Sequence, residues 1–320
     1  MRTKVVYVLV SKENDWYLEQ LFISLTSLKQ FNPFVHSCVV TDQTTKASLC
    51  GKRANALNLA DEIVVVDVPE KYTGAASSRY LKTSLRKYVK GAFLYVDTDT
   101  IIADNLDEID SLIDQQVSIA AVKDSHCLFA EMIRHDLIVS RAKKAGFGDI
   151  ENDKIHFNGG VTFAADNNFA HEFYKKWHEN WIAEQKKGFY YDQLAFAWTN
   201  RSLNFPIHDI SGIWNCQLFN DGLPFLYRAK IIHYSEWGSG RPYYFQNTEV
   251  YMSIKETGKI SEEIKERIIH SKEAFVGHHI ILGNSENRYF WSSISKAAKG
   301  RPRLFRMLEK IAHFFMSLKK

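Results

Sequence analysis

What most constrains the fold is a strict alternation of apolar runs and amphipathic stretches over the first hundred residues. Lys4 to Val10 contains Val-Val-Tyr-Val-Leu-Val, a short continuous apolar run that predicts a buried strand. Trp16 to Gln30 then places Leu18, Leu21, Phe22, Leu25 and Leu28 on one helical stripe, and Pro33 breaks the pattern. A second strand is expected over Val35 to Val40 and a third over Ile63 to Val68, with a helical stretch around Ala47 to Ala60 between them. Arg79 to Lys90 reads as helix and Ala92 to Val96 as the next strand. Strand and helix in this order predict an α/β fold: a mostly parallel central sheet whose crossover helices flank it.

The fourth apolar run leads directly into Asp97-Thr98-Asp99. Because side chains alternate along a strand, the two carboxylates are expected on one face. Held together they repel, and a hard divalent cation with a taste for oxygen ligands would relieve that repulsion. The C-terminal ends of strands are also where open α/β sheets place ligands. The plain alternative is chance, since a chain with 37 acidic residues produces such triplets unaided.

Further on, strands are expected over Val117 to Val122, Gly160 to Ala165 and Arg228 to Tyr234, the last carrying His233. Asp124 to Gly146 reads as mostly helical, Asn167 to Lys187 as a long helix and Asp192 to Trp198 as a short one. Phe169, Phe173, Trp177 and Trp181 recur every four residues, a stripe best read as core. With no repeat or low-complexity linker, residues 1–260 are expected to form one domain and 261–320 a C-terminal extension.

From Lys296 to Lys320 the chain has eight basic residues and one acid, Glu309, a balance of +7. Against a total of +4, the other 295 residues sum to −3. The body therefore lacks the distributed basic footprint of a nucleic-acid-binding protein. The tail, with Leu304, Leu308, Ile311, Phe315 and Leu318 at helical spacing, predicts a basic amphipathic helix on an anionic membrane surface; a helix docked on the body is the alternative. Four cysteines without a CxxC pair suit a reduced, cytoplasmic protein. The N-terminal apolar run is too short for a secretory signal, and no stretch reaches the length that spans a bilayer. The expected location is the cytoplasm, peripherally attached to the inner face of the membrane.

Five motifs in order give the chain a specific resemblance. They are Asp97-Thr98-Asp99, Phe157-Asn158-Gly159-Gly160-Val161, Asp192-Gln193, Trp214-Asn215, and His233-Tyr234 leading to Arg241-Pro242-Tyr243. Together they resemble the family 8 glycosyltransferases, GT-A-fold (Rossmann-like) enzymes that use nucleotide-diphosphate sugars. The resemblance implies that Asp97, Asp99 and His233 bind Mn²⁺ or Mg²⁺. An imidazole among carboxylates tilts the choice towards Mn²⁺. It further implies that Val10, Ser11, Arg79, Thr98, Gly160 and Arg241 lie against a UDP-sugar donor. Asn158, Asp192 and Gln193 would meet the donor sugar or the acceptor, a glycan or lipid-linked glycan, with retention of anomeric configuration. Two departures stand out: eight positions separate His233 from Arg241, and Arg-Pro-Tyr replaces the family's Lys-Pro-Trp. Residues 246–296 match nothing in the family, and His278-His279 within them would point to opposite faces of a strand. Two competing readings are a sugar nucleotidyltransferase and a non-catalytic glycosyltransferase-like binding protein. The first would need a glycine-rich phosphate loop after the first strand, and Ser11 to Asp15 has no glycine.

Overall fold

A computed structural model describes residues 1–148, 150–218, 220–234 and 244–273, together with residues 303, 307, 310 and 311. Its centre is a seven-stranded sheet. In chain order the strands are β1 (Lys4–Leu9), β2 (Ser37–Asp42), β3 (Glu62–Val66), β4 (Phe93–Val96), β5 (Thr100–Ile102), β6 (Ile119–Lys123), β7 (Phe157–Ala164), β8 (His208–Asp209), β9 (Cys216–Gln217) and β10 (Ile231–His233). The large sheet runs β3-β2-β1-β4-β7-β6-β8, and β5, β10 and β9 form a small second sheet. Pairing is parallel from β3 to β4 and between β6 and β8; β7 alone runs antiparallel to both its neighbours.

The apolar runs have a direct cause. In β1, Val6 and Val8 join the core on one face of the sheet, while Val5, Tyr7 and Leu9 join the core on the other. In β4, Phe93 and Tyr95 take the first face, Leu94 and Val96 the second. A strand covered on both faces has no solvent side and needs apolar residues throughout. Truncating a fully buried side chain such as Leu9 should cost about 2–5 kcal/mol. The aromatic stripe lies in the helix Asn168–Gln185, where Phe173, Trp177 and Trp181 are completely buried. Asn167 caps that helix, its side-chain oxygen accepting from Ala170 N at 2.9 Å.

Two expected helical stretches form, but in pieces. Asp124 to Gly146 is mostly helical yet interrupted: short 3₁₀ turns at Asp124–His126 and Phe129–Glu131 precede the helix His135–Ala145. Ser125 and His126 both have positive φ, +55° and +51°, which no helix accommodates. Around Ala47 to Ala60 the chain forms the short helix Gln43–Ser48 and a 3₁₀ helix, Gly51–Leu59.

The chain also does not continue straight from β4 through the acidic triplet. It bends at Thr98 and Asp99 and re-emerges as β5 in the second sheet. Thr100 Oγ1 closes this bend on Asp97 O at 2.8 Å. Asp97 and Asp99 are thus brought together by a turn, not by the alternation of one strand. β5 pairs antiparallel with β10, setting His233 opposite Thr100. That register carries a residue from late in the chain to the acidic pair. Past the second sheet, the helices Thr248–Thr257 and Glu262–Ile269 contribute Val250, Tyr251, Ile254, Ile264 and Ile268 to a third core with Ile23, Ile101 and Ile232.

Candidate functional site

At the C-terminal end of β4, ligand atoms of Asp97, Asp99 and His233 lie within 4.8 Å of one another. Asp97 is fixed by its own backbone, which donates to Gly160 O at 2.8 Å, and by the Tyr95 hydroxyl, which donates to its carboxylate. Asp99 O accepts from Tyr234 N at 3.1 Å, tying the turn to the end of β10. His233 Nε2 is 3.3 Å from Asp99 Oδ1, while Nδ1 meets Asn215 Oδ1 at 3.1 Å. With Nδ1–H donated to that carbonyl, Nε2 is the nitrogen turned towards the carboxylates, the tautomer a metal-binding imidazole needs.

Burial pushes the Asp97 carboxyl above its ordinary pKa; Lys82 pulls it down, and Asp99 pushes it up further. Burial works against the His233 imidazolium, but Asp99 and Asp97 outweigh it and raise the group. Two half-buried carboxylates and an imidazole so placed suit a divalent cation that takes oxygen and nitrogen ligands. Gly160 leaves the space: a Cβ there would sit 2.5 Å from His233 Cε1 and 2.8 Å from Asp97 Oδ2.

A second cluster adjoins the first. Lys82, on the helix Ala75–Thr83, reaches Asp97 Oδ1 at 3.3 Å and Asp192 Oδ2 at 3.1 Å. Arg79, one turn earlier, has Nε 3.5 Å from Asp192 Oδ1. Burial opposes the Lys82 charge, yet Asp192 and Asp97 more than compensate and raise its pKa. Asp192 would be raised by burial, but Lys82 and Arg79 hold it below the ordinary carboxylate value. It opens the helix Asp192–Ser202, where the dipole also favours negative charge.

A ladder of amides links the clusters. Asn158 Oδ1 accepts from Gly160 N at 2.8 Å and Asn215 Nδ2 at 2.9 Å, and Asn158 Nδ2 donates to Asp124 Oδ1 at 3.1 Å. Gln193 Nε2 donates to the other Asp124 oxygen at 2.8 Å. Gln217 secures the strained turn that carries Asp124: it accepts from Ser125 N at 3.0 Å and donates to Lys123 O at 2.8 Å.

Of the residues singled out by sequence, Asp97, Asp99, His233, Asn158, Gly160, Asp192, Gln193 and Arg79 fall in this one region. Val10 packs into the core beside β1, and Ser11 lies in the loop after it, its amide donating to Thr45 Oγ1 at 3.1 Å. Thr98 occupies the bend between the two carboxylates. Arg241 lies outside the described residues. Lys82 and Asp124 were not anticipated. Lys82 shares a helical face with Arg79 and could have been found from that spacing. Asp124 directly follows β6, and the strand-end rule that picked out Asp97 applies to it equally.

Behind Asp192 sits a further acid. Glu184 is completely buried and neither carboxyl oxygen has a hydrogen-bond partner. Burial first, and the Asp192 charge second, push it up to about 9, against the pull of Arg79. The folded protein therefore keeps this proton where the unfolded chain releases it. Stability from Glu184 is fully present below pH 4.5 and is lost progressively as pH rises towards about 9. Glu184→Gln, uncharged throughout, is expected to flatten that decline. By urea unfolding it should match the native chain near pH 5 and exceed it on the order of a few kcal/mol near pH 9.

No family model and no curated protein sequence matches this chain. Solved structures do match it. The galactosyltransferase LgtC, in complex with donor and acceptor sugar analogs, superposes with a TM-score of 0.52 at 17% identity, over 83% of this chain and 100% of that one. The bifunctional glycosyltransferase WbbM gives 0.53 at 16% identity, over 84% of this chain and 51% of that one. Mouse xyloside xylosyltransferase 1 gives 0.50 at 15% identity, over 75% and 99%. At these identities the matches establish the fold, which is the GT-A architecture with a mostly parallel central sheet flanked by helices.

Proposed function

We propose that the chain is a metal-dependent glycosyltransferase of the family 8 type. It moves a hexose from a UDP-sugar to a glycan or lipid-linked glycan in cell-surface polysaccharide synthesis. The observation that carries this reading is the joining of a two-carboxylate, one-imidazole cluster to the Lys82–Asp192 pair at the end of β4. That site sits in a fold shared with enzymes named as galactosyl- and xylosyltransferases.

Asp97, Asp99 and His233 would hold Mn²⁺ or Mg²⁺, which when bound supplies Lewis-acid stabilisation of the departing nucleoside diphosphate. Lys82 places a buried positive charge beside that site, where developing phosphate charge gains most from it. Asp192, kept ionised by Lys82 and Arg79, accepts hydrogen bonds from sugar hydroxyls. Asn158 has both ends of its amide engaged, so its part is to hold His233's partner Asn215 and Asp124 in register. Gln193, tethered by Asp124, orients the sugar ring; an amide is a poor nucleophile, and retention rests on the family's chemistry. Ser11, Val10 and Arg241 are assigned to the nucleotide. Slow hydrolysis of a panel of nucleotide sugars tests the reading without a known acceptor. Mn²⁺-dependent release of UDP from one of them is expected; release that is unchanged in EDTA would contradict it.

Among the described residues no helix is long and apolar enough to cross a membrane. We assign membrane attachment to the tail, a reading supported by helical, exposed Met307 and Ile311 beside Arg303 and Lys310. Deleting residues 300–320 is expected to release the protein from anionic vesicles while donor hydrolysis persists. Undiminished vesicle binding would rule the tail out as the anchor.

A further inference from the structure

The loop from Ser11 to Trp16 leaves the end of β1 with three consecutive exposed residues, Lys12, Glu13 and Asn14. Its shape is set from two directions. From inside, Asp15 gathers the loop: Ser11 Oγ donates to Asp15 Oδ1 at 2.7 Å and Lys12 N to Asp15 Oδ2 at 2.7 Å. From outside, the helix Thr248–Thr257 lays Lys255 across it. Lys255 Nζ donates to Glu13 O at 2.7 Å and to Asp15 O, and lies 4.1 Å from the centre of the Trp16 ring. Trp16 in turn stacks on Tyr251 of the same helix, with ring centres 5.6 Å apart. Beneath them lies Glu19, 2% exposed, whose carboxyl is pushed above its ordinary value by burial while Lys255 and Arg53 pull it back.

One ammonium therefore joins two carbonyls and an aromatic face of a loop whose ends are held by Thr45 and Arg53 at Ser11 and by Tyr251 at Trp16, and whose middle, Lys12 to Asn14, is exposed. Charge-assisted hydrogen bonds of this kind are about twice as strong as neutral ones. The helix bearing Lys255 is itself well anchored. Asn247 caps its start, accepting from Glu249 N at 2.9 Å, and Gly258 ends it in the left-handed conformation, φ +67°. Asn55 Nδ2 donates to Gly258 O at 3.0 Å, fixing the helix end to the 3₁₀ segment beside the loop.

We infer that Lys255 is a positioning residue for the nucleoside end of the donor. It acts through the Ser11–Trp16 loop, which it holds in the shape that receives the nucleotide. The inference rests on the proposed nucleotide-sugar activity and adds a part of the chain, 246–296, to which the sequence resemblance gave no role.

The test uses the full-length chain as native protein, Lys255→Met and Lys255→Arg. Two readouts are needed: amide hydrogen exchange over residues 12–16, and calorimetric titration with UDP in Mn²⁺. Lys255→Met is expected to speed exchange in that loop and to weaken UDP about tenfold. In the hydrolysis assay the donor KM should rise in proportion while kcat stays within about twofold. Lys255→Arg, which keeps the charge, should recover most of both effects. Unchanged loop exchange in Lys255→Met overturns the clamp. Faster exchange with unchanged UDP affinity overturns the positioning role while leaving the nucleotide reading intact. A native protein that fails to bind UDP at all overturns the nucleotide reading, and this role with it.

Discussion

Replacing Asp97 or Asp99 with asparagine is expected to abolish Mn²⁺-dependent UDP release, a loss of at least about a thousandfold. The amide preserves size and one oxygen ligand but removes the charge that makes the cluster attractive to a divalent cation. Stability should move the other way. Both carboxylates are partly or wholly desolvated, and each raises the electrostatic cost of the other; burial and Asp99 both push Asp97 upwards. Neutralising one removes that repulsion, so thermal unfolding without metal should occur at the same temperature as in the native protein, or higher. Residues that cost stability and carry function show this separation. A variant that unfolds early would place the acidic pair in the scaffold, and one that retains activity would remove it from the chemistry.

Replacing Lys82 with methionine should damage both fold and function. The side chain is 10% exposed and neutralises two carboxylates at once, Asp97 at 3.3 Å and Asp192 at 3.1 Å. Its ammonium also lies 5.0 Å from the centre of the Tyr95 ring. Methionine fills the stem's volume and leaves both acids without that cation. Removing one partner of a buried pair costs about 3–5 kcal/mol, because the stranded charge cannot be rehydrated. For a chain of 320 residues that lowers the unfolding temperature by about 4–7 °C. Mn²⁺ with UDP should restore part of the loss, since ligands that bind only the folded state stabilise it and the cation replaces positive charge beside Asp97. Scanning calorimetry with and without Mn²⁺ and UDP measures both effects. Equal unfolding temperatures for Lys82→Met and the native protein would show that the pair is solvated and contributes little.

The inner strands β1 and β4 were legible because each is covered on both faces, and such strands are written as unbroken apolar runs, whereas the short exposed β8 carries no such signal. The parallel half of the sheet follows from Val5 to Val10 and its counterparts almost residue by residue. What the residues alone could not give was the turn at Thr98 and Asp99. Period-two alternation brought the two acids together for a reason that does not operate, since the chain leaves its strand between them. Likewise, the stretch from Asp124 to Gly146 is mostly helical as its residues suggest, but the positive-φ turn at Ser125 and His126 that interrupts it is held by Gln217, 92 residues beyond Ser125, which local propensity cannot sense. Arg79 came from the family resemblance, which marks an arginine on this helix, and that resemblance does not point to Lys82. Which of two cations on one helical face reaches the acids depends on the crossing of that helix over β4, a tertiary property.

All of the chemistry assigned to this chain depends on one coupling, between a divalent cation and a nucleoside diphosphate at Asp97, Asp99 and His233. Calorimetric titration of the native protein with UDP, in Mn²⁺ and then in EDTA, measures that coupling directly. Saturable binding in Mn²⁺ that disappears in EDTA, and that is also absent from Asp97→Asn in Mn²⁺, is the expected result. UDP affinity that is the same with and without the metal, or no binding under either condition, would contradict it.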